Sequence, residues 1–267
     1  MLKSPTLMKT RTVPERQKDP RARPFARLAI FTLLLVCGAL NVGVAHGQQQ
    51  MSKRYPASKN VRIVLRNIFG TITVESWNRD EIKLTMTLES PKANVSPRHS
   101  GSDLTIDVMA DNPGRSNVGD VNFKLYVPVN SSVDLETKRG QITVSNIRGE
   151  LVRAHVSLEG DIELRGISAG QVMAQNTIGD IYFDGEFASK GTYHFQSGKG
   201  HITIRIPAAS AFHVTASAPT KQITLGEFWN DRFKNLGGGR KFEGEVVDGR
   251  SRVNVTNFNG SITFMRR

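Results

Sequence analysis

One short phrase recurs along the chain: Gly, any residue, Ile, any residue, then an apolar residue. It occurs at Gly70 (with Ile72 and Val74), Gly140 (Ile142, Val144), Gly160 (Ile162, Leu164), Gly179 (Ile181, Phe183), Gly200 (Ile202, Ile204) and Gly260 (Ile262, Phe264). Within each copy apolar and polar positions alternate, the period-2 mark of a strand buried on one face. The middle four copies begin 20, 19 and 21 residues apart. Midway between successive copies lies a second alternating segment: Val152, Ala154, Val156; Val172, Ala174; Tyr193, Phe195; Phe212, Val214. Each unit is therefore strand, turn, strand, turn, with no room for a helix. Glycine opens the phrase because it takes positive φ at a tight corner or admits close backbone approach there.

Phrases matched in register predict an all-β, β-solenoid-like stack of roughly 20-residue coils, with equivalent strands parallel and about 4.8 Å apart. Ile142, Ile162, Ile181 and Ile202 then form one interior ladder, and Val144, Leu164, Phe183 and Ile204 the next. Antiparallel hairpins use two strands per unit as well, which keeps a β-sandwich as the alternative. Upstream, Val61, Ile63, Leu65; Ile82, Leu84, Met86, Leu88; Leu104, Ile106, Val108; and Phe123, Leu125, Val127 alternate too, but with longer, turn-rich separations. They read as a less regular N-terminal part of the same body, residues 59–267, with a separate small domain as runner-up. Residues 48–58 are polar and are expected to be a disordered linker. Between Leu225 and Glu245 the rhythm breaks around Phe228, Trp229, Phe233 and Gly237 to Gly239. A loop or short helix covering the last coil is one reading of this segment, and an aromatic loop that contacts a ligand is the other.

Charge changes the picture once it is divided. The chain has 267 residues, 36 Lys+Arg and 24 Asp+Glu, a formal +12. Residues 1–47 hold eight basic residues and two acids and so supply +6 of it. The remainder is spread among interspersed acids, unlike the concentrated basic face of a nucleic-acid binder, so no nucleic-acid partner is expected. After the basic stretch comes the apolar run Leu28 to Val36, continuing to Val44, and then Ala45, His46, Gly47. That order predicts a signal peptide over residues 1–47 cleaved before Gln48, with a retained membrane anchor as the other reading. The single cysteine, Cys37, lies in that run, and Val36 before it argues against lipidation. After cleavage no cysteine remains for disulfides or zinc.

The stretch Val127, Pro128 through Val133, Leu135, Thr137, Gly140, Ile142, Val144, with the tandem Gly phrases after it, resembles the bacterial putative adhesin family, a domain of unknown function in exported envelope proteins. The close resembles it too: Gly237 to Gly239, then Val253, Val255, Thr256, Asn257, Asn259, Gly260, Ile262. The likeness covers about residues 60 to 267. It implies a β-strand-repeat, solenoid-like fold, export, and a role in adhesion or envelope contacts without an established reaction; it carries over no catalytic residue. The chain departs from the family at Lys138, Arg139 before Gly140 and at Ser157, Leu158, Glu159 before Gly160, where an Asn often stands near the Gly, so those corners are expected to turn differently.

Candidate chemistry is sparse. His155, His194, His201 and His213 sit between or beside inward-facing apolar residues, so alternation turns them outward. A metal site requires His194 to align with His213 on adjacent coils. Asp161 and Asp180 follow equivalent glycines, with Glu163 and Asp184 nearby; they read as a calcium-type oxygen cluster or as an exposed acidic edge relieved by Arg165 and water. No Gly-x-Ser-x-Gly elbow occurs, and Gly237-Gly238-Gly239-Arg240-Lys241 lacks the Ser/Thr and the strand-to-helix context of a phosphate loop. No catalytic, cofactor-binding or metal-ligating residue is assigned, and no cofactor is expected. The expected function is that of an exported, non-enzymatic envelope or surface protein, periplasmic, cell-surface or extracellular. It would bind a polysaccharide or an envelope protein through its sheet faces, where Thr143, Tyr182 and Thr203 point outward. The alternatives are a polysaccharide lyase or hydrolase on the same scaffold, which needs converging acids, and a structural or sensory component assembling through sheet edges. Membrane contact is expected only through an uncleaved leader.

Overall fold

A computed structural model of the chain describes residues 49–89, 93–115 and 117–267. The expected leader, its cleavage before Gln48 and Cys37 lie outside the described residues. The elements run β1 (Gln49–Pro56), β2 (Arg62–Arg66), β3 (Ile72–Trp77), β4 (Glu81–Leu88), β5 (Arg98–Ser100), β6 (Asp103–Asp107), a one-turn helix α1 (Val108–Asp111), β7 (Val121–Pro128), β8 (Ser132–Arg139) and β9 (Ile142–Ser145). There follow β10 (Leu151–Glu159), β11 (Ile162–Ile167), β12 (Gln171–Ile178), β13 (Ile181–Gly185), β14 (Thr192–Lys199), β15 (Ile202–Ile206), β16 (Phe212–Ser217) and β17 (Ile223–Thr224). The chain ends with a 3-10 turn (Gly226–Phe228), β18 (Lys234–Leu236), β19 (Lys241–Val246), β20 (Ser251–Asn259) and β21 (Ile262–Arg266).

The strands make two facing sheets. The first runs β1-β4-β7-β3-β9-β11-β13-β15-β21-β17, the second β18-β19-β16-β20-β14-β12-β10-β8-β2-β6-β5. Successive coils contribute one strand to each sheet, so the fold is a β-solenoid. The Gly-phrase isoleucines stack in register: Ile72 with Ile142, Ile142 with Ile162, Ile162 with Ile181, Ile181 with Ile202, Ile202 with Ile262. All are at most 1% exposed, and burying each contributes on the order of 1.5 to 3 kcal/mol. Toward the C-terminal end the core becomes aromatic, with Phe183, Phe187, Tyr193 and Phe195 in mutual contact and Phe212 stacked on Phe264. Large rings there fill space that Ala154 and Ala174 leave to smaller neighbours elsewhere.

The stacking order is not the chain order. At one end the β6/β7 coil lies outside β2/β3, and at the other the β16/β17 coil lies outside β20/β21. The six Gly phrases, so unevenly spaced in sequence, therefore occupy six consecutive rungs. Their glycines form a column in which each backbone lies against the carbonyl of the rung before. A Cβ on Gly140 would come 2.1 Å from the Gly70 carbonyl oxygen, on Gly160 2.0 Å from that of Gly140, on Gly179 2.3 Å from Gly160, on Gly200 2.0 Å from Gly179 and on Gly260 1.6 Å from Gly200. Beside the column runs a buried polar row. Asn176 Nδ2 donates to the Gly160 carbonyl, Ser197 Oγ to that of Gly179, and Asn257 Nδ2 to those of Gly200 and Ser261, satisfying corner oxygens that the turn leaves out of the ladder.

Three expectations need correction. The disordered linker expected over residues 48–58 is contradicted in its described part, because Gln49–Pro56 forms β1, antiparallel to β4 with Tyr55 opposite Ile82. Its side chains are almost all exposed, so it is held through its backbone and has no period-2 apolar signal to read. The corner at Lys138-Arg139 does not turn differently, since Gly140 keeps the column. The corner at Ser157-Leu158-Glu159 does: β10 pairs Val156 with Asn176 and Glu159 with Ile178, a bulge of one extra residue that puts Val156 where neighbouring coils have Thr137 and Asn176. The break at 225–245 is a 3-10 turn followed by the β18–β19 hairpin, and β19 pairs antiparallel with β16 to cover that edge of the second sheet.

Two outcomes test this packing in chemical unfolding. Gly160→Ala should cost at least ~2 kcal/mol, because φ is +151° and the Cβ meets backbone. Gly237→Ala, at φ +67° with open space around it, should cost only ~1 kcal/mol. The Tyr193 hydroxyl donates to the Ala169 carbonyl (2.8 Å) and accepts from the Ala188 N–H (2.6 Å). Burial raises its pKa above the ordinary 10.0, against a smaller lowering by the Ala188 N–H. Its contribution to stability is thus complete below about pH 10 and lost as pH rises through the raised value. In Tyr193→Phe this part of the alkaline loss should disappear, at a cost of ~1–3 kcal/mol at neutral pH.

Candidate recognition surface

The same period that buries the ladders aligns the outward residues into columns about 4.8 Å apart. On the first sheet Thr73, Thr143, Glu163, Tyr182, Thr203, Thr263 and Thr224 form one column, so Thr143, Tyr182 and Thr203 do share a line. Charged pairs break up this face. Arg165 pairs with Glu163 and lies 4.7 Å from the Tyr182 ring centre, and Asp184 takes Arg205 (3.3 Å) and Arg267 (3.5 Å). Toward β7 the face turns aromatic and basic, with Trp77 stacked on Tyr126 (5.3 Å) and Lys124 5.0 Å from the Tyr126 ring. The Lys124 pKa is raised, first by its contact with the Tyr126 hydroxyl.

The second sheet divides into two halves. From β2 to β10 its outward face carries ion pairs: Arg66 with Glu136 (3.5 Å), Arg153 with Asp134 (3.2 Å), His155 near Glu136 (3.7 Å). From β12 through β14 and β20 to β16 they are Gln171, Met173, Gln175; Thr192, His194, Gln196; Arg252, Asn254, Thr256; His213, Thr215, Ser217. Of these twelve side chains only Arg252 is permanently charged. Neither sequence period nor composition singled out this patch, because it exists only once β20 is placed beside β14; its signal in the sequence is the run of outward Gln, Asn, Thr and Ser.

His194 does not align with His213. The strand β20 stands between theirs, setting His194 opposite Asn254 and His213 opposite Arg252. All four histidines are part-buried or exposed; His201 Nδ1 lies 2.7 Å from Ser261 Oγ, and His213 Nδ1 is 3.6 Å from Glu245. Asp161 and Asp180 do stack on successive corners, but their oxygens serve the backbone: the Asp180 N–H donates to Asp161 Oδ1 and the His201 N–H to Asp180 Oδ1, both at 2.8 Å. Among the described residues no three His, Cys, Asp or Glu are placed to share a metal ion. Glu163 and Asp184, the other members of the expected acidic edge, are taken up by arginines.

The model of one family, Toastrack DUF4097, matches residues 65–263, more than half of the chain. The chain belongs to the Toastrack DUF4097 family. The match starts in β2 and ends in β21, so β1 lies outside the Toastrack segment. Solved structures of similar architecture include a putative cell adhesion protein from Clostridium sporogenes ATCC 15579, 12% identical, covering 83% of this chain and 100% of that one with a TM-score of 0.47. Others are a putative adhesin from Bacteroides fragilis NCTC 9343 (10%, 84% and 100%, TM-score 0.47) and a putative lipid binding protein from Parabacteroides distasonis ATCC 8503 (11%, 81% and 96%, TM-score 0.33). No curated protein matches the chain.

If the Toastrack corner aspartates act only as acceptors for the next coil, Asp180→Asn should leave the unfolding midpoint nearly unchanged, while Asp180→Ala lowers stability by ~1 kcal/mol. Millimolar calcium should not raise the midpoint of the native chain; a rise would restore the cation-cluster reading.

Proposed function

We propose that this Toastrack chain is an exported, non-enzymatic surface or envelope protein that binds polysaccharide through the outer face of β12, β14, β20 and β16. The supporting observation is the array of amide, hydroxyl and imidazole side chains on that face, in which Arg252 is the one permanent charge. Side-chain amides and hydroxyls both donate and accept, and repeated at strand spacing they offer a chain of sugar hydroxyls many equivalent contacts. No single contact need be strong, since affinity accumulates along a repeating ligand. The adjoining ion-paired half of the same sheet has its charges already satisfied by one another and supplies a border rather than a site.

Retention of the full chain on a panel of immobilised neutral polysaccharides tests this reading. At least one polysaccharide should retain it, and the triple change Gln175→Ala, Gln196→Ala, Asn254→Ala should cut retention at least tenfold with little loss of stability. Retention no greater than that of an unrelated β-solenoid, or retention untouched by the triple change, would sink it.

A further inference from the structure

We propose that a cleft at the C-terminal end of the first sheet is a separate binding site for an anionic sugar residue. It is lined by His201, Gln222, Thr224, Ser261 and Thr263 from β15, β17, β21 and their corners. Thr220, Lys221, Gly238 and Arg240 complete it. Its volume is about 640 Å³, within the ~300–1,000 Å³ usual for small-molecule sites.

A cation stands where the glycine column ends. Ile223 pairs with Ile262 and Thr224 with Thr263, so the terminal coil repeats the phrase with Lys221 opposite Gly260. From Gly70 to Gly260 that position is glycine, because a Cβ there would meet the backbone of the rung before. On the outermost rung of the first sheet the glycine column has ended, and the position carries a long, exposed, charged side chain. Arg240 reaches the same cleft from the turn that follows Gly237 to Gly239. These three residues all have positive φ, and a Cβ on any of them would meet nothing within 4 Å. Packing therefore does not demand glycine there; the conformation that carries the chain round to Arg240 does.

The electrostatics are one-sided. No Asp or Glu lines the cleft, and among the described residues neither Lys221 nor Arg240 makes an ion pair. The nearest acid of the corner row, Asp180, has its Oδ1 engaged by the His201 N–H. Three other polar clefts among the described residues each contain a carboxylate: Glu186 beside Arg148 and Arg267, Asp80 beside Arg79, and Asp231 and Asp248 beside Arg232. Lys221 and Arg240 suit a carboxylate or sulfate through charge-assisted hydrogen bonds. Thr220, Gln222, Thr224, Ser261 and Thr263 suit the hydroxyls of the ring that bears it. The volume is far beyond that of a bare ion, and no Phe, Tyr or Trp lines the cleft to stack a nucleobase. This site stands apart from the polar face of the second sheet and does not depend on it.

Calorimetric titration of the full chain with glucuronate, glucose and inorganic sulfate tests the assignment. Glucuronate should bind at least tenfold more tightly than either glucose or sulfate. Lys221→Gln and Arg240→Gln should each weaken glucuronate at least tenfold without moving the unfolding midpoint, whereas Arg252→Gln on the other sheet should leave it unchanged. Paired Thr224→Val and Thr263→Val changes should weaken glucuronate but not sulfate. Absence of glucuronate binding, native affinity in the Lys221 and Arg240 variants, or sulfate binding as tightly as glucuronate would each overturn the proposal.

Discussion

The structure depends on backbone approaching backbone at one corner of every coil. Where Gly140, Gly160, Gly179, Gly200 and Gly260 stack, a side chain would lie within about 2 Å of the preceding carbonyl oxygen, a distance that no rotamer relieves. With glycine there, neighbouring corners hydrogen-bond directly, as from the Gly160 N–H to the Ile178 carbonyl and from the Gly179 N–H to that of Lys199. That contact sets the rung spacing and brings the isoleucine two residues later into line with its equivalents. The buried row of Asn176, Ser197 and Asn257 follows from the same geometry, because corner carbonyls turned inward need donors.

Once register is fixed at the corner, the outside of the molecule is determined as well as the inside. Every outward residue acquires a neighbour one rung up and one rung down, so composition becomes pattern. Opposite charges one rung apart neutralise each other, as Arg153 and Asp134 do, while runs of amides and hydroxyls build an uninterrupted polar face. The two candidate sites occupy places where this periodic logic takes different forms. One half of the second sheet's face repeats amides and hydroxyls around a single arginine, Arg252, and the cleft lies where the glycine column stops and Lys221 takes the position.

Much of the coil was legible in the sequence because glycine, isoleucine and period-2 alternation report local requirements. The inward ladders from Ile142 to Ile202 are where that pattern places them. The residues that escaped notice are those whose role comes from a distant partner. β1 has no apolar face, since it is held by hydrogen bonds to β4. The aspartates at 161 and 180 read either as a cation cluster or as an acidic edge because their spacing is visible in sequence, while the backbone N–H groups that occupy them are not. Lys221 carries no local signal, since its place at the end of the glycine column comes from the pairing of Ile223 with Ile262.

By itself the sequence determined an all-β repeat, the identity of the inward-facing residues and the need for glycine at the corners, because each follows from steric and hydrophobic rules acting over a few residues; that the repeats coil rather than form a sandwich is decided by their parallel pairing. Only the tertiary structure decided the order of the rungs: β2/β3 under β6/β7 at one end, β20/β21 under β16/β17 at the other. All the parallel strands share nearly the same inward pattern, so local preference alone does not distinguish one stacking order from another. With that order come the separation of His194 from His213, the polar face beside β20 and the exposed Lys221 at the close of the glycine column.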